Sequence, residues 1–272
     1  VRFSEQMDAT TLVDPYIRLS NTTLGVSEPI DITVEADLRT VRIRPSSGAF
    51  AANTNYQLYL YNWNNPNQRP RDLAGNQMSS ITRTMRTSDV ASDTVGPQVL
   101  GVNLPDGTLD VPVNPLIVLE FDEPVNEICA SESPVFLTEV STGEVVSTNQ
   151  TFDSTRQTLT LTLPSGGELL ADTQYQINGG GICDFGFNES SYSGGTFTTG
   201  SNASRDFTRP TIALLSPYNG AIDVPRDVEW IVRFSEQMDA TTLVDPYIRL
   251  SNTTLGVSEP IDITVEADLR TV

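Results

Sequence analysis

The sequence has no histidine and no lysine, and all 16 of its basic residues are arginine. The absence of histidine excludes a Ser–His–Asp triad, a Cys–His pair and histidine metal sites. The absence of lysine excludes Schiff-base chemistry, a phosphate-binding P-loop and a Lys–Asn isopeptide cross-link. Paired carboxylates remain and could serve a glycosidase, but they recur at the same turn positions of two repeats, which indicates a structural role. We therefore expect a protein that is not an enzyme.

Long apolar runs are also missing, since no stretch approaches the length that crosses a bilayer. The formal net charge is −19, and the isoelectric point is near 4.2. A surface of this sign repels nucleic acid and anionic membranes. We expect no nucleic-acid partner and no membrane insertion in this segment.

The chain repeats itself at two levels. Residues 1–41 recur without a change as residues 232–272, an offset of 231 residues. Within that repeat, residues 93–126 align with residues 206–239 at an offset of 113. The positions shared by this second alignment include Asp93 with Asp206, Gly107 with Gly220, Asp110 with Asp223, Phe121 with Phe234 and Glu123 with Glu236.

These offsets predict two kinds of domain, A and B. Residues 1–92 form a domain A that lacks its first strands, 93–205 form a complete domain B, and 206–272 form the first part of the next domain A. Either the parent protein repeats a 231-residue unit, or the chain carries a duplicated end. We expect a window from a longer polymer, because residue 1 falls inside a strand. Neither terminal fragment completes a domain, so the isolated chain is expected to associate head to tail.

Apolar and polar residues alternate with a period of two throughout the chain, which indicates β-strands. The segments that alternate are 30–36, 40–44, 56–62, 81–87, 116–121 and 158–164. Clusters of Gly, Pro, Asn and Ser separate them, and no window shows a helical stripe. We predict an all-β chain of tandem antiparallel Ig-like β-sandwiches, with about seven strands each, in an extended array.

A string of motifs points to a family. The pattern P…P-x-x-G-x-x-D-V-P…F-x-E, then A-x-T-x-Y, then D-x-x-G-N, resembles the Ig-like repeats of bacterial S-layer proteins and large surface adhesins. Domain A carries DVP, FSEQM, NTNY and DLAGN, whereas domain B departs with CDFGFN at the last motif. The resemblance covers both domains. It implies the Ig-like fold and a secreted protein that is extracellular or on the cell surface.

Seven acidic residues fall where one pole of such a sandwich meets the preceding domain. The strands of an Ig-like sandwich are lettered A to G in chain order. Strands B and F run in the same direction, so the loops that follow them lie at the same pole as the start of strand A. Carboxylate oxygens are ligands that Ca²⁺ prefers, and we predict that Ca²⁺ stiffens the domain junctions. The alternative is that these residues are solvated, turn-forming acids. The candidates are Asp93, Asp122, Glu123, Asp184, Asp206, Glu236 and Asp72.

The only cysteines are Cys129, after strand B, and Cys183, after strand F. Both are expected at the same pole of domain B, which favours a disulfide and an oxidising compartment. Two buried thiols or a metal pair are the alternatives, although two ligands without histidine make a poor zinc site.

The loop at residues 61–72 of domain A carries aromatic and arginine side chains, which are common binding anchors. It is a candidate contact loop for a glycan or surface ligand. The alternative is that it packs on the neighbouring domain or an adjacent fibre. Its candidate contact residues are Tyr61, Trp63, Arg69 and Arg71.

Taken together, these features predict a structural repeat of a secreted bacterial fibre, whose partners are other copies of the same array, head to tail or side by side. Two alternatives stay open. One is the stalk of a large adhesin that carries a separate ligand-binding tip. The other is an array of carbohydrate-binding modules that use Trp63.

Overall fold

The computed structural model describes residues 1–62, 64–90, 92–201 and 204–272. The chain separates into two compact units, Val1–Asp93 and Thr94–Val272. Both are built mainly of β-strands joined by turns. The predicted all-β class and Ig-like sandwich are therefore confirmed.

The described residues of the first unit form six strands and one 3₁₀ turn, Ala9–Thr11. The strands β2-β1-β5-β6 form one antiparallel sheet, and β3 pairs with β4. Between the sheets lies a core of Met7, Leu12, Ile17, Val41 and Leu60. The strands are β1 Arg18–Asn21, β2 Val26–Glu28, β3 Ile30–Val34, β4 Val41–Pro45, β5 Asn55–Tyr59 and β6 Thr82–Arg86.

The second unit opens with a complete two-sheet sandwich. One sheet has the order β12-β13-β9-β7, and the other has the order β11-β10-β14-β15-β8. The strands are β7 Val99–Val102, β8 Thr108–Val111, β9 Ile117–Phe121, β10 Val135–Glu139, β11 Val145–Val146, β12 Asn149–Phe152, β13 Thr158–Thr162, β14 Gln174–Cys183 and β15 Glu189–Thr199, with one helix, α1 Glu127–Glu132.

Period-two alternation accounts for the core of this sandwich. Along β13 the burial alternates, with Leu159 and Leu161 inside. Along β9 the inward residues Ile117, Leu119 and Phe121 are almost fully buried. One continuous apolar cluster fills the space between the sheets, which is the arrangement that two packed sheets require.

Nine strands are present where about seven were predicted, because strands divide between the sheets. The first strand begins as β7 in one sheet and continues as β8 in the other. Between them lie Pro105, which cannot donate a backbone hydrogen bond, and Gly107, whose φ is +81°. This bend lets the chain cross from one sheet to the other.

The rest of the second unit forms two hairpins. Strand β16 Ile212–Ser216 pairs with β17 Ile231–Phe234, and β18 Leu250–Asn252 pairs with β19 Val257–Glu259. A 3₁₀ turn, Ala240–Thr242, repeats the turn at Ala9–Thr11.

A buried tyrosine stands at the same place in both domains. The hydroxyl of Tyr175 accepts a hydrogen bond from the backbone N–H of Leu170 at 2.9 Å. The hydroxyl of Tyr56 accepts one from Ala51 at 3.1 Å. Both phenol rings are buried, and each ties a strand to the segment five residues upstream, as a tyrosine corner does.

Candidate functional site

The two cysteines of domain B form a disulfide at one pole of the sandwich. Cys129 lies in α1, and Cys183 is the last residue of β14. Their Cα atoms are 5.8 Å apart, and 54 positions separate them in sequence. Asn126 begins the helix by accepting a hydrogen bond from Ile128 N–H, and its own N–H donates to the Cys183 carbonyl at 2.7 Å. The cross-link therefore joins the loop after β9 to the end of β14.

Domain A joins the two corresponding loops without a disulfide. Asp8 begins the 3₁₀ turn as Asn126 begins α1, and its N–H donates to the carbonyl of Arg71 at 2.8 Å. The Arg71 N–H donates to the hydroxyl of Thr11 at 3.0 Å. The repeat places Cys129 on Thr242, the copy of Thr11, so a hydrogen bond takes the place of the disulfide.

Three of the seven predicted acidic residues come together beside this disulfide. Single carboxylate oxygens of Asp93, Glu123 and Asp184 lie within 4.8 Å of one another. Asp184 is only 2% exposed. It accepts hydrogen bonds from the backbone and side-chain nitrogens of Asn188 at 2.8 and 2.7 Å. The arrangement holds one buried carboxylate in a fixed orientation next to two others.

The turn that holds Asp184 recurs in domain A. Asp72 accepts hydrogen bonds from the backbone and side-chain nitrogens of Asn76, both at 2.7 Å. The hydrogen bond from the Asn76 side chain, and after it those from the backbone, hold the pKa of Asp72 below its ordinary value. In both domains an Asn four residues after the Asp fixes the carboxylate, which explains the aspartate and asparagine of the D-x-x-G-N motif.

Asp122 does not join the three-carboxylate cluster. Its carboxylate accepts a hydrogen bond from Gln98 N–H at 2.8 Å and so ties β9 to the segment before β7. Its neighbour Glu123 points to the cluster instead. Both residues lie in the bend that follows β9.

Asp206 and Glu236 form a pair of their own. The two carboxyl groups are neighbours, and Glu236 Oε1 is buried with no hydrogen-bond partner among the described residues. Burial, and then the neighbouring Asp206 carboxyl, raise the pKa of Glu236. A hydrogen bond from the backbone of Thr208 lowers the pKa of Asp206. This pair occupies the positions that Asp93 and Glu123 occupy in domain B.

Two of the predicted contact residues make contacts inside domain A. Tyr61 lies edge-on to Tyr59, with ring centroids 5.7 Å apart. The Arg69 guanidinium donates to the Pro66 carbonyl at 2.9 Å. Arg71 is exposed, and its backbone forms an antiparallel β-bridge with that of Gln77. Trp63 lies outside the described residues, so ligand binding by this loop stays a prediction.

A second feature, which the sequence reading missed, lies between the first and last strands of domain B. Strand β8 pairs with β15 in parallel, with Thr108 opposite Phe197 and Val111 opposite Thr199. The Asp106 carboxylate accepts hydrogen bonds from the N–H and hydroxyl of Thr196, at 2.7 and 3.1 Å. Aspartate in the turn PDG was the available signal, but its partner is 90 residues away.

In the part of the chain that is described, no helix has the length and apolar character needed to span a bilayer.

Comparisons with known proteins agree with the two-sheet topology. Residues 93–199 match the family model of the bacterial Ig-like domain. No curated protein matches the chain. Among solved structures, a titin fragment described as an anomalous substructure of Titin-A168169 is 11% identical, with 70% of this chain and 83% of that chain covered and a TM-score of 0.25. A TM-score this low supports no conclusion. The family match covers domain B alone and supports a bacterial Ig-like domain there.

Proposed function

We propose that this chain is a structural repeat of a secreted bacterial fibre at the cell surface, in which Ig-like domains transmit tension along the chain. The parallel pairing of β8 with β15 is the observation that carries this proposal. The Ig-like fold of domain B and the exact recurrence of residues 1–41 at an offset of 231 support it, because both are expected of a chain built from tandem copies of the same domains.

Parallel terminal strands resist pulling for a geometric reason. Tension enters domain B ahead of β7 and leaves after β15, so it draws β8 and β15 in opposite directions along their lengths. Their hydrogen bonds bridge the strands and are therefore loaded together rather than one after another. Two of these bonds run from Gly107 N–H to the Thr196 carbonyl at 2.7 Å and from Gly200 N–H to the Val111 carbonyl at 3.2 Å.

Asp106 strengthens the start of this pairing. Hydrogen bonds from the backbone and the hydroxyl of Thr196 hold the pKa of Asp106 below its ordinary value. The strands approach closely here, since a Cβ at Gly195 would lie 2.6 Å from the Cα of Asp106. Glycine at 195 thus permits the contact that Asp106 makes.

We expect Asp106→Ala to lower the force at which domain B unfolds when the full chain is stretched between its ends, because the variant loses both bonds to Thr196. Asp153→Ala is the matched control. Asp153 is equally exposed and accepts bonds from Thr155, Gln157 and Thr158, but it lies in the turn between β12 and β13. Single-molecule force spectroscopy measures both variants. Equal unfolding forces for the two variants would refute the proposal.

A fibre and an adhesin stalk share these mechanics but differ in their neighbours. A fibre requires lateral contacts between copies, whereas a stalk consists of dispersed single chains. Exact repetition favours the fibre, because a homopolymer-like array presents identical side surfaces at regular intervals. Electron micrographs of the whole array separate the two: regular helical order supports the fibre, and isolated threads support the stalk.

Calcium binding stays a prediction. The proximity of their carboxylates narrows the predicted ligands to Asp93, Glu123 and Asp184. We expect Ca²⁺ to raise the melting temperature of the full chain above its value in chelator. At a 100-fold excess over Kd the stabilisation would be about 2.7 kcal/mol. Glu123→Gln should abolish the shift, and Glu120→Gln, on β9 outside the cluster, should retain it. Identical melts in calcium and in chelator would end the hypothesis.

A further inference from the structure

The two kinds of domain differ in one contact at the same place. Domain B joins Cys129 to Cys183 covalently, and domain A joins Thr11 to Arg71 by a hydrogen bond. We propose that this difference sets how far each domain extends under tension. Domain B opens only part of the way, and domain A opens over its whole length. The inference rests on the proposed function, because it concerns a chain that carries tension.

The path of tension through domain B explains the limit. After β8 separates from β15, the chain before Cys129 and the chain after Cys183 can be drawn out. The disulfide then carries the tension directly between these two residues. The segment 130–182 is bypassed and feels no pull, although it contains β10 to β13 and nearly all of β14.

The bypassed length is large compared with the domain. An extended chain spans roughly 3.3–3.6 Å per residue, so the 54 positions between the cysteines correspond to about 180 Å that stay folded away. The bypassed segment also contains much of the buried core, including Leu137, Leu159 and Ile177. A partly opened domain B therefore keeps apolar partners in proximity.

Domain A has no such limit. The bond from Arg71 N–H to the Thr11 hydroxyl breaks as the loops separate, since it is a single neutral hydrogen bond between two chain segments 60 positions apart. The chain has no cysteine besides the two in domain B. In a chain of alternating domains, each domain A would then extend fully under tension, and each domain B would extend only up to its disulfide.

Stretching the full chain, with and without a dithiol reductant, tests this directly. The reductant gives two electrons and two protons to the Cys129–Cys183 bond, yields two thiols, and is itself oxidised to a cyclic disulfide. We expect the length gained when domain B unfolds to rise by about 180 Å on reduction. Adding reductant to the tethered wild-type chain avoids any dependence on how a cysteine variant folds.

A reciprocal variant supplies the matched control. Thr11→Cys combined with Arg71→Cys places a cysteine pair at the corresponding position in domain A and should shorten the extension of that domain in oxidising buffer only. Unchanged extension of domain B on reduction would overturn the inference. A low unfolding force for domain B together with the expected change in length would instead contradict the proposed function and leave the inference standing.

Discussion

Replacing both cysteines of domain B with serine should lower its free energy of unfolding by about 4 kcal/mol, the chain-entropy value for a cross-link spanning 54 positions. The unfolded chain gains freedom when the cross-link is lost, whereas the folded chain keeps the bond from Asn126 N–H to the Cys183 carbonyl. Neither tryptophan lies in domain B. Tryptophan fluorescence therefore does not report on domain B, and its free energy of unfolding is measured by hydrogen exchange and mass spectrometry of peptides from 93–201.

Peptides from residues 1–62 provide the internal control, because the first unit contains no sulfur bridge and should exchange at the same rate in both proteins. Reduction of the wild type should reproduce the double variant. A change of less than about 1 kcal/mol would mean that the unfolded chain is already compact between the two cysteines, which is the known weakness of the entropy account.

The strands of this fold follow from local pattern, and the repeat extends that inference. The alternation at 158–164 predicts β13, and the alternation at 116–121 predicts β9; both strands appear within two residues of those bounds. The tyrosine corners follow from the shared A-x-T-x-Y motif, because a tyrosine at equal positions in two repeats implies an equal role. Period and repetition are local properties, so a sequence reveals them.

What the sequence does not reveal depends on contacts between distant segments. The parallel pairing of β8 with β15 joins residues about 90 positions apart, and no periodicity encodes the partner of a strand. Helix α1 has six residues, which is too short to produce an apolar stripe of helical period. Its only signal in the sequence is Asn126, a residue type that often precedes the first turn of a helix.

The candidate metal site shows the same division. Motif positions placed Asp93, Glu123 and Asp184 at one pole, and the structure brings them together. The sequence could not separate Glu123 from Asp122, because both are acidic residues in the bend that follows β9 and no periodicity specifies the backbone path there. Asp122 instead accepts a hydrogen bond from Gln98, a contact between segments 24 positions apart.

Removing the ring at Phe197 should destabilise domain B by about 3–5 kcal/mol, the usual cost of truncating a buried aromatic residue to alanine. Phe197 is fully buried on β15 and stacks on Tyr175, with ring centroids 5.7 Å apart. Hydrogen exchange of the peptides from 93–201 measures the loss. Phe197→Leu refills part of the cavity and should cost less.

The matched control is Met85→Ala in domain A. Met85 lies opposite Tyr56 as Phe197 lies opposite Tyr175, but it is 43% exposed. Its truncation should cost less than about 1 kcal/mol, because little apolar surface leaves the core. Equal losses at the two positions would show that burial does not set their importance. Since Phe197 also pairs with Thr108 across the parallel strands, the loss of its ring should reduce the unfolding force of domain B as well as its equilibrium stability.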